Sequence, residues 1–355
     1  MATPEEPSRF CPIHCLPVEL LAFIFTFASV SPDKIHNNFH LNIPMDTTVI
    51  SISQTCSYWR KLTLFTESLW AHVSVAIDVV RDDRQMKLLY RWVQLSLRRS
   101  KEAPLTILIR DLDTSRSSSF SASAARGKAR ELILRALFAL SDRWFSVTLV
   151  GSIRYSCSCY RLLKGFQRLR HLDINSSELY LFQNAVTTVA AFDQLHNPMQ
   201  PASAVRGILV GNLESLRVRY TATDFPRAIP ALSRLRELDF EGQISKLEAV
   251  HSLVKNCAPY LERLCCYFNL NSTDQNISCL TFHTPFAIHL PRLKSLEIFW
   301  IGGEDLGNRA LCSNDSRAVA LEMFMTPLVL PAHLYARVAV YSRDAAASAI
   351  APSMR

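Results

Sequence analysis

A short phrase, leucine-x-x-leucine-x-apolar, recurs through the later part of this chain and constrains its fold more than any other feature. The copies are Leu169-Arg-His-Leu172-Asp-Ile174, Leu213-Glu-Ser-Leu216-Arg-Val218, Leu235-Arg-Glu-Leu238-Asp-Phe240, Leu261-Glu-Arg-Leu264-Cys-Cys266 and Leu293-Lys-Ser-Leu296-Glu-Ile298. They are spaced by 44, 22, 26 and 32 residues, and the long interval has room for a degenerate copy near Val189 to Leu195. Strand alternation sends Leu216, Val218 and Tyr220 to one side and Ser215, Arg217 and Arg219 to the other. No single unit can bury its own apolar face, so the units must stack, and the stack makes one parallel sheet. Each connector returns the chain as a helix or irregular turn. Ser245 to Cys257 is the clearest, with Leu247, Val250, Leu253, Val254 and Cys257 on one face and Ser245 as the cap.

The face of this sheet opposite the leucines is expected to meet solvent and to be the partner-binding surface. It carries His171, Asp173 and Asn175, then Ser215, Arg217 and Arg219, Glu237, Asp239 and Glu241, Arg263, Cys265 and Tyr267, and Ser295, Glu297 and Phe299. Charge alternates between neighbouring units. Strands lie about 4.8 Å apart, so Arg217 and Arg219 can pair with Asp239 and Glu241 across the sheet, or the extended face can hold a partner of mixed charge. Both readings stay open at this level.

Upstream, Val80 to Arg99 has helical spacing through Leu88, Trp92 and Leu95, and leads into Leu105 to Ile109 as a strand. The unit then recurs as a helix over Ser123 to Ser141 and a strand from Phe145 to Val150, joined by a serine-rich connector, Thr114 to Ser123, expected to be mobile. The formal net charge of +8 gathers locally at Arg81, Arg84, Lys87 and Arg91 and at Arg126, Lys128 and Arg130. Both groups fall on amphipathic helices, where a solvated basic face is the ordinary reading, so no nucleic-acid partner is assigned.

At the N-terminal end the text becomes helical and unusually apolar. Leu16, Leu20, Ile24 and Phe27 share one stripe and Leu21, Phe25 and Ala28 lie beside it. Pro17 suits the first turn and Glu19 the positive end of the dipole. Ser29 to Met45 reads as an exposed loop. Asp46 or Thr47 can then cap a second helix bearing Val49, Ile52 and Cys56, and a third carries Trp59 and Leu62. Leu69 and Trp70 close the unit, and Val73, Val75 and Ile77 alternate as in a strand. A unit this small cannot bury all its apolar faces, so some of Leu20, Leu21, Ile24, Phe25 and Trp59 stay exposed unless a partner, or the rest of the chain, covers them.

The strings L-P-V-E-L-L-A-F-I-F over 16–25, I-S-Q-T-C-S-Y-W-R-K-L over 52–62 and S-L-W over 68–70 resemble the F-box. That family's pattern is L-P-x-E-[IL]-[IL]-x-x-I-[FL], a variable loop, S-x-V-C-[RKS]-x-W-[RK]-x-L and a closing L-W. The chain departs in a longer loop, Ser29 to Asp46, and in Thr55, which stands where valine is usual. The resemblance implies a three-helix unit that docks on the Skp adaptor and through it on a cullin-RING ligase. It gives Leu16, Pro17, Leu20, Leu21, Ile24, Phe25, Cys56, Trp59 and Leu62 as adaptor-facing residues. The later phrases are similar to leucine-rich repeats, as in fungal F-box proteins, although the asparagine that usually follows the strand is missing from most copies.

The expected architecture is therefore α/β: a disordered lead-in over 1–11, a three-helix F-box over 12–77, an irregular leucine-rich-repeat-like solenoid with a parallel sheet over 78–330, and an irregular tail over 331–355. An ordinary α/β domain with leucine-rich strands is the alternative fold. The expected function is substrate reception in a Skp-cullin-F-box ubiquitin ligase, with a target protein held by the repeats. A ligase-independent repeat scaffold is the alternative. No catalytic role is expected, because G-x-x-x-x-G-K-[ST], G-x-G-x-x-G, H-E-x-x-H and G-x-S-x-G are all absent and the chain has only 9 glycines. The ten cysteines form no C-x-x-C pair, so neither a metal nor another cofactor is expected. Met1 to Arg9 is polar and proline-bearing, unlike a secretory signal, and no apolar run is long enough to span a bilayer. Cytoplasmic or nuclear residence, reduced thiols and no membrane partner follow as expectations.

Overall fold

Every copy of the repeated phrase becomes the entry to a β-strand. The structure is a computed structural model and describes residues 12–30, 47–111, 120–151, 166–175, 212–219, 232, 234–243, 247–270, 287–302, 321–322 and 324–342. The chain is mixed α/β, built on one open sheet of nine parallel strands in the order β1-β2-β3-β4-β5-β6-β7-β9-β11. These are β1 His72–Ala76, β2 Leu105–Asp111, β3 Trp144–Gly151, β4 His171–Asn175, β5 Ser215–Arg219, β6 Glu237–Gln243, β7 Arg263–Leu270, β9 Ser295–Gly302 and β11 Tyr335–Ser342. The phrases pair in phase: Leu172, Leu216, Leu238, Leu264 and Leu296 stand side by side on successive strands, all buried. A leucine removed from water in this way stabilises by about 1.5–3 kcal/mol, and the column is shared by every unit, which makes the stack cooperative.

The repeating unit is longer than the phrase. The Leu169 N–H donates to the Phe166 carbonyl at 3.2 Å, Leu235 to Leu232 at 3.2 Å and Leu293 to Leu290 at 3.3 Å, and all three acceptor residues are buried. One carbonyl at each strand entry then takes two N–H groups from the next unit: Arg170 from Glu214 and Ser215, Glu214 from Arg236 and Glu237, Arg236 from Glu262 and Arg263, and Glu262 from Lys294 and Ser295. The side chains of this column alternate in sign. Arg170 pairs with Glu214 at 3.6 Å, Arg236 with Glu262 at 3.9 Å and Lys294 with Glu262 at 2.6 Å. The Lys294 ammonium holds the Glu262 carboxyl below the usual carboxylate range. These pairs are open to water, so each contributes only ~0–1 kcal/mol, and the buried leucine column decides the stability.

Helices form the second layer. In α5, Asp83–Arg99, the N-cap Asp82 carboxylate accepts from the Gln85 N–H at 2.7 Å, while Met86, Leu89, Val93 and Leu97 enter the main core. It begins after Val80, whose N–H is held by the Ile77 carbonyl in a turn. In α6, Phe120–Phe138, residues Ala129, Ile133, Leu134 and Leu137 are buried. It stops short of Ser141, which opens a 3-10 turn to Arg143. Helix α7, Leu247–Cys257, packs on the same core, and a two-stranded parallel pair, β8 Ile288–His289 with β10 Leu328–Val329, adjoins it.

Two expectations are corrected. Val73 and Val75 belong to the edge strand of the large sheet, so the helical module ends at Trp70 and not at residue 77. The segment read as an irregular tail contains β11, which runs parallel to β9 with Ala336 beside Leu296 and Val338 beside Ile298. Strands β4 and β5 are direct neighbours, His171 against Ser215. The proposed copy at Val189 to Leu195, the 1–11 lead-in, the loop over 31–46, the serine-rich 112–119, Tyr220 and the Ser245 cap lie outside the described residues. No described helix is long and apolar enough to cross a membrane.

Candidate interaction surfaces

The N-terminal module comprises a 3-10 turn over Pro12–Cys15 and helices α1 Val18–Val30, α2 Thr48–Thr55, α3 Ser57–Phe65 and α4 Glu67–Trp70. Thr47 stands at the N-cap of α2 without a capping side-chain bond, whereas Cys56 caps α3, its Sγ accepting from the Trp59 N–H at 3.4 Å. Cys56 is thus a helix cap and not the end of the second helix's apolar face. Leu21, Phe25, Val49, Leu62, Leu69 and Trp70 form a small core of their own, joined by Trp92 from α5. The Phe25 and Trp59 rings lie 4.7 Å apart, Trp70 and Trp92 5.9 Å apart, and the Trp70 Nε1–H donates to the Thr63 carbonyl at 2.8 Å.

This core divides the nine candidate residues. Leu21, Phe25 and Leu62 face inward and are buried in the module's own core. Leu16, Cys56 and Trp59 are half-buried, and Pro17, Leu20 and Ile24 are exposed. Exposed beside them are Val18, Phe23 and Phe27 on α1 and Tyr58, Leu64 and Phe65 on α3, with Phe23 69%, Phe27 71% and Phe65 83% exposed. Phe23 and Phe65 were missed from sequence. Leu20, Phe23, Ile24 and Phe27 follow i, i+3, i+4, i+7 spacing, the signal of one continuous helical stripe. Three phenylalanines this open on one small module are unusual on a surface that meets only water.

On the sheet, the columns opposite the leucines are only partly open. His171 and Glu237 are exposed, and Asp173, Arg219, Asp239, Arg263 and Glu297 are half-buried. Arg217, Tyr267 and Phe299 are buried, and Arg217 is only 8% exposed, which corrects their assignment to a solvent face. The reason is that β7 and β9 carry large apolar residues on both faces, as strands covered on both sides do. Tyr267 and Phe299 stack at 4.8 Å, with Arg217 over the first ring and Arg337 over the second at 5.7 and 5.8 Å.

The charges pair across strands. Arg219 bonds Asp173, Arg217 meets Glu241 at 3.7 Å, and Arg263 lies between Asp239 at 3.3 Å and Glu297 at 3.8 Å. Burial raises the Asp239 carboxyl above its ordinary range despite the opposing pull of Arg263 and Arg217. Arg217 is driven the other way from most buried cations: the surrounding Asp173, Glu241 and Asp239 outweigh its desolvation and raise it. Arg217 Nε and Asp173 Oδ1 have no hydrogen-bond partner among the described residues.

No protein-family model and no curated protein matches the chain. What the surfaces can do chemically therefore rests on their own residues. Among the described residues no cluster of three His, Cys, Asp or Glu side chains could hold a metal ion. Cys15, Cys56, Cys257, Cys265 and Cys266 form no disulfide, and burial pushes the Cys257 and Cys265 thiols up to about 12 and Cys266 well above its ordinary value. A thiol so desolvated is neither a nucleophile nor a ready ligand at neutral pH. Among the described residues, the exposed apolar stripe of the module is left without an internal role.

Proposed function

We propose that the chain is an F-box substrate receptor of a Skp-cullin-F-box ubiquitin ligase, non-catalytic itself, whose helical module docks on the Skp adaptor. The observation that carries this reading is the exposed stripe of Leu20, Phe23, Ile24 and Phe27, backed by a separate small core. The inner stripe of Leu21 and Phe25 holds the module together, which leaves the outer stripe free for a partner. In this reading the nine-stranded stack is an irregular leucine-rich-repeat-like solenoid, and its charged columns hold the target protein. Residence in the cytoplasm or nucleus follows from that role.

The test is a pull-down with purified Skp adaptor. Wild type is expected to be retained, and a Leu20→Asp, Ile24→Asp variant to be lost, because two desolvated carboxylates cannot be paired in an apolar contact. Both side chains are exposed, so the variant keeps the wild-type fold by circular dichroism. Equal retention of the two proteins removes the proposal.

A further inference from the structure

Helix α5 carries a row of cations that pair with no described carboxylate. Arg84, Lys87, Arg91 and Arg98 are all exposed and follow i, i+3, i+7, i+14 spacing, which places them on one face over about 21 Å. Among the described residues none of them has a carboxylate within ion-pairing distance. Other exposed cations do find carboxylates: Arg135 meets Glu131 at 3.9 Å, Lys101 meets Glu67 at 2.8 Å and Lys294 meets Glu262 at 2.6 Å. Like charges at these helical spacings repel, so the row weakens the helix that bears it. Arg84 also sits in the first turn, at the positive end of the dipole.

The row borders the helical module. One flank of α5 is Trp92 and Leu95, which pack into the module's own core, and the row lies on the adjoining face. Arg99 is already taken, its guanidinium 4.8 Å from the Trp70 ring. The row thus adjoins the side of α5 that packs on the module.

We propose that Arg84, Lys87, Arg91 and Arg98 form a docking ridge for an acidic, carboxylate-bearing surface of the same protein that covers the module. This rests on the adaptor reading and adds the chemistry of a second contact. A protein surface fits better than the other polyanions. A membrane would need the apolar side of α5, and Met86, Leu89, Val93 and Leu97 are committed to the core. A nucleic acid would use aromatic rings beside the cations, but the neighbouring Tyr90 hydroxyl is held by the Gln94 amide at 2.7 Å and the row is one residue wide.

The test measures adaptor affinity of the full chain by calorimetry at low and high salt, for wild type and for Arg84→Gln, Lys87→Gln, Arg91→Gln, Arg98→Gln together. The expected result is binding about tenfold weaker for the variant at low salt, with the salt dependence of the wild type largely gone. If wild type and variant bind equally with the same salt dependence, this inference alone falls. If wild type does not bind the adaptor, the adaptor reading falls and takes the ridge with it. Loss of binding to a DNA duplex or to phosphatidylserine vesicles, with adaptor affinity unchanged, likewise overturns the assignment.

Discussion

Replacing Phe268 with alanine is expected to cost about 3–5 kcal/mol of folding stability, read as a fall in the urea midpoint at unchanged slope. Phe268 is fully buried on β7, in the middle of the later stack. Its ring lies 5.2 Å from Trp300, 5.6 Å from Phe324 and 6.2 Å from Phe240, so it ties neighbouring strands to the layer behind them. Those neighbours are large buried rings, Phe240 and Trp300 on flanking strands and Phe324 outside the sheet, and they cannot close over the space a phenyl group leaves. Because rings from strands on both sides pack against it, a defect here loosens both neighbours. Tyr335→Ala, at the 60% exposed start of the edge strand, is the contrast and should stay within about 0.5 kcal/mol of wild type. Equal midpoints for Phe268→Ala and wild type would contradict the packing described.

Arg110→Ala is expected to cost a similar amount, about 3–5 kcal/mol, for a different reason. Arg110 and Asp78 form a buried ion pair, Nε to Oδ1 at 3.0 Å, where β1 meets β2. Removing the guanidinium takes away the cation that pairs with the buried Asp78 carboxylate. Burial already raises the Asp78 carboxyl above its ordinary value, outweighing Arg110. A raised carboxyl favours the folded state below its unfolded value, about 3.9, and that contribution is lost as pH rises through the folded value. Without Arg110 the carboxyl rises further, so the variant's defect should shrink as pH falls toward the ordinary carboxyl range. The double replacement Arg110→Met, Asp78→Leu should recover most of the loss, since it removes both buried charges. A defect that is independent of pH and persists in the double variant would show that the side chain, not the charge balance, matters.

Much of the sheet was legible because leucine phrases at short intervals leave a chain few ways to bury them. The phrases marked β4, β5, β6, β7 and β9, and alternation marked β1, β2 and β3. Strand β11 escaped because its residues, Ala336, Val338 and Val340, follow the alternation without the leucines. The φ-x-Arg-Leu turn before three of the strands, Phe166 to Leu169, Leu232 to Leu235 and Leu290 to Leu293, was visible in the sequence and would have lengthened the repeat. Two failures have one cause. In α1 apolar residues occupy nearly every side, and in β7 and β9 they occupy both faces, so periodicity could not say which side is covered. Packing decides it: Leu21 and Phe25 turn inward while Leu20 and Ile24 do not, and Tyr267 and Phe299 are buried on the face expected to be wet.

The most direct measurement is hydroxyl-radical footprinting of the full chain with and without the Skp adaptor. The docking proposal predicts that oxidation of Phe23, Phe27 and Phe65, fast in the free chain, drops sharply in the complex, while buried Phe25 stays slow in both. A chain that holds the adaptor with those three rings oxidising at the free rate would contradict it.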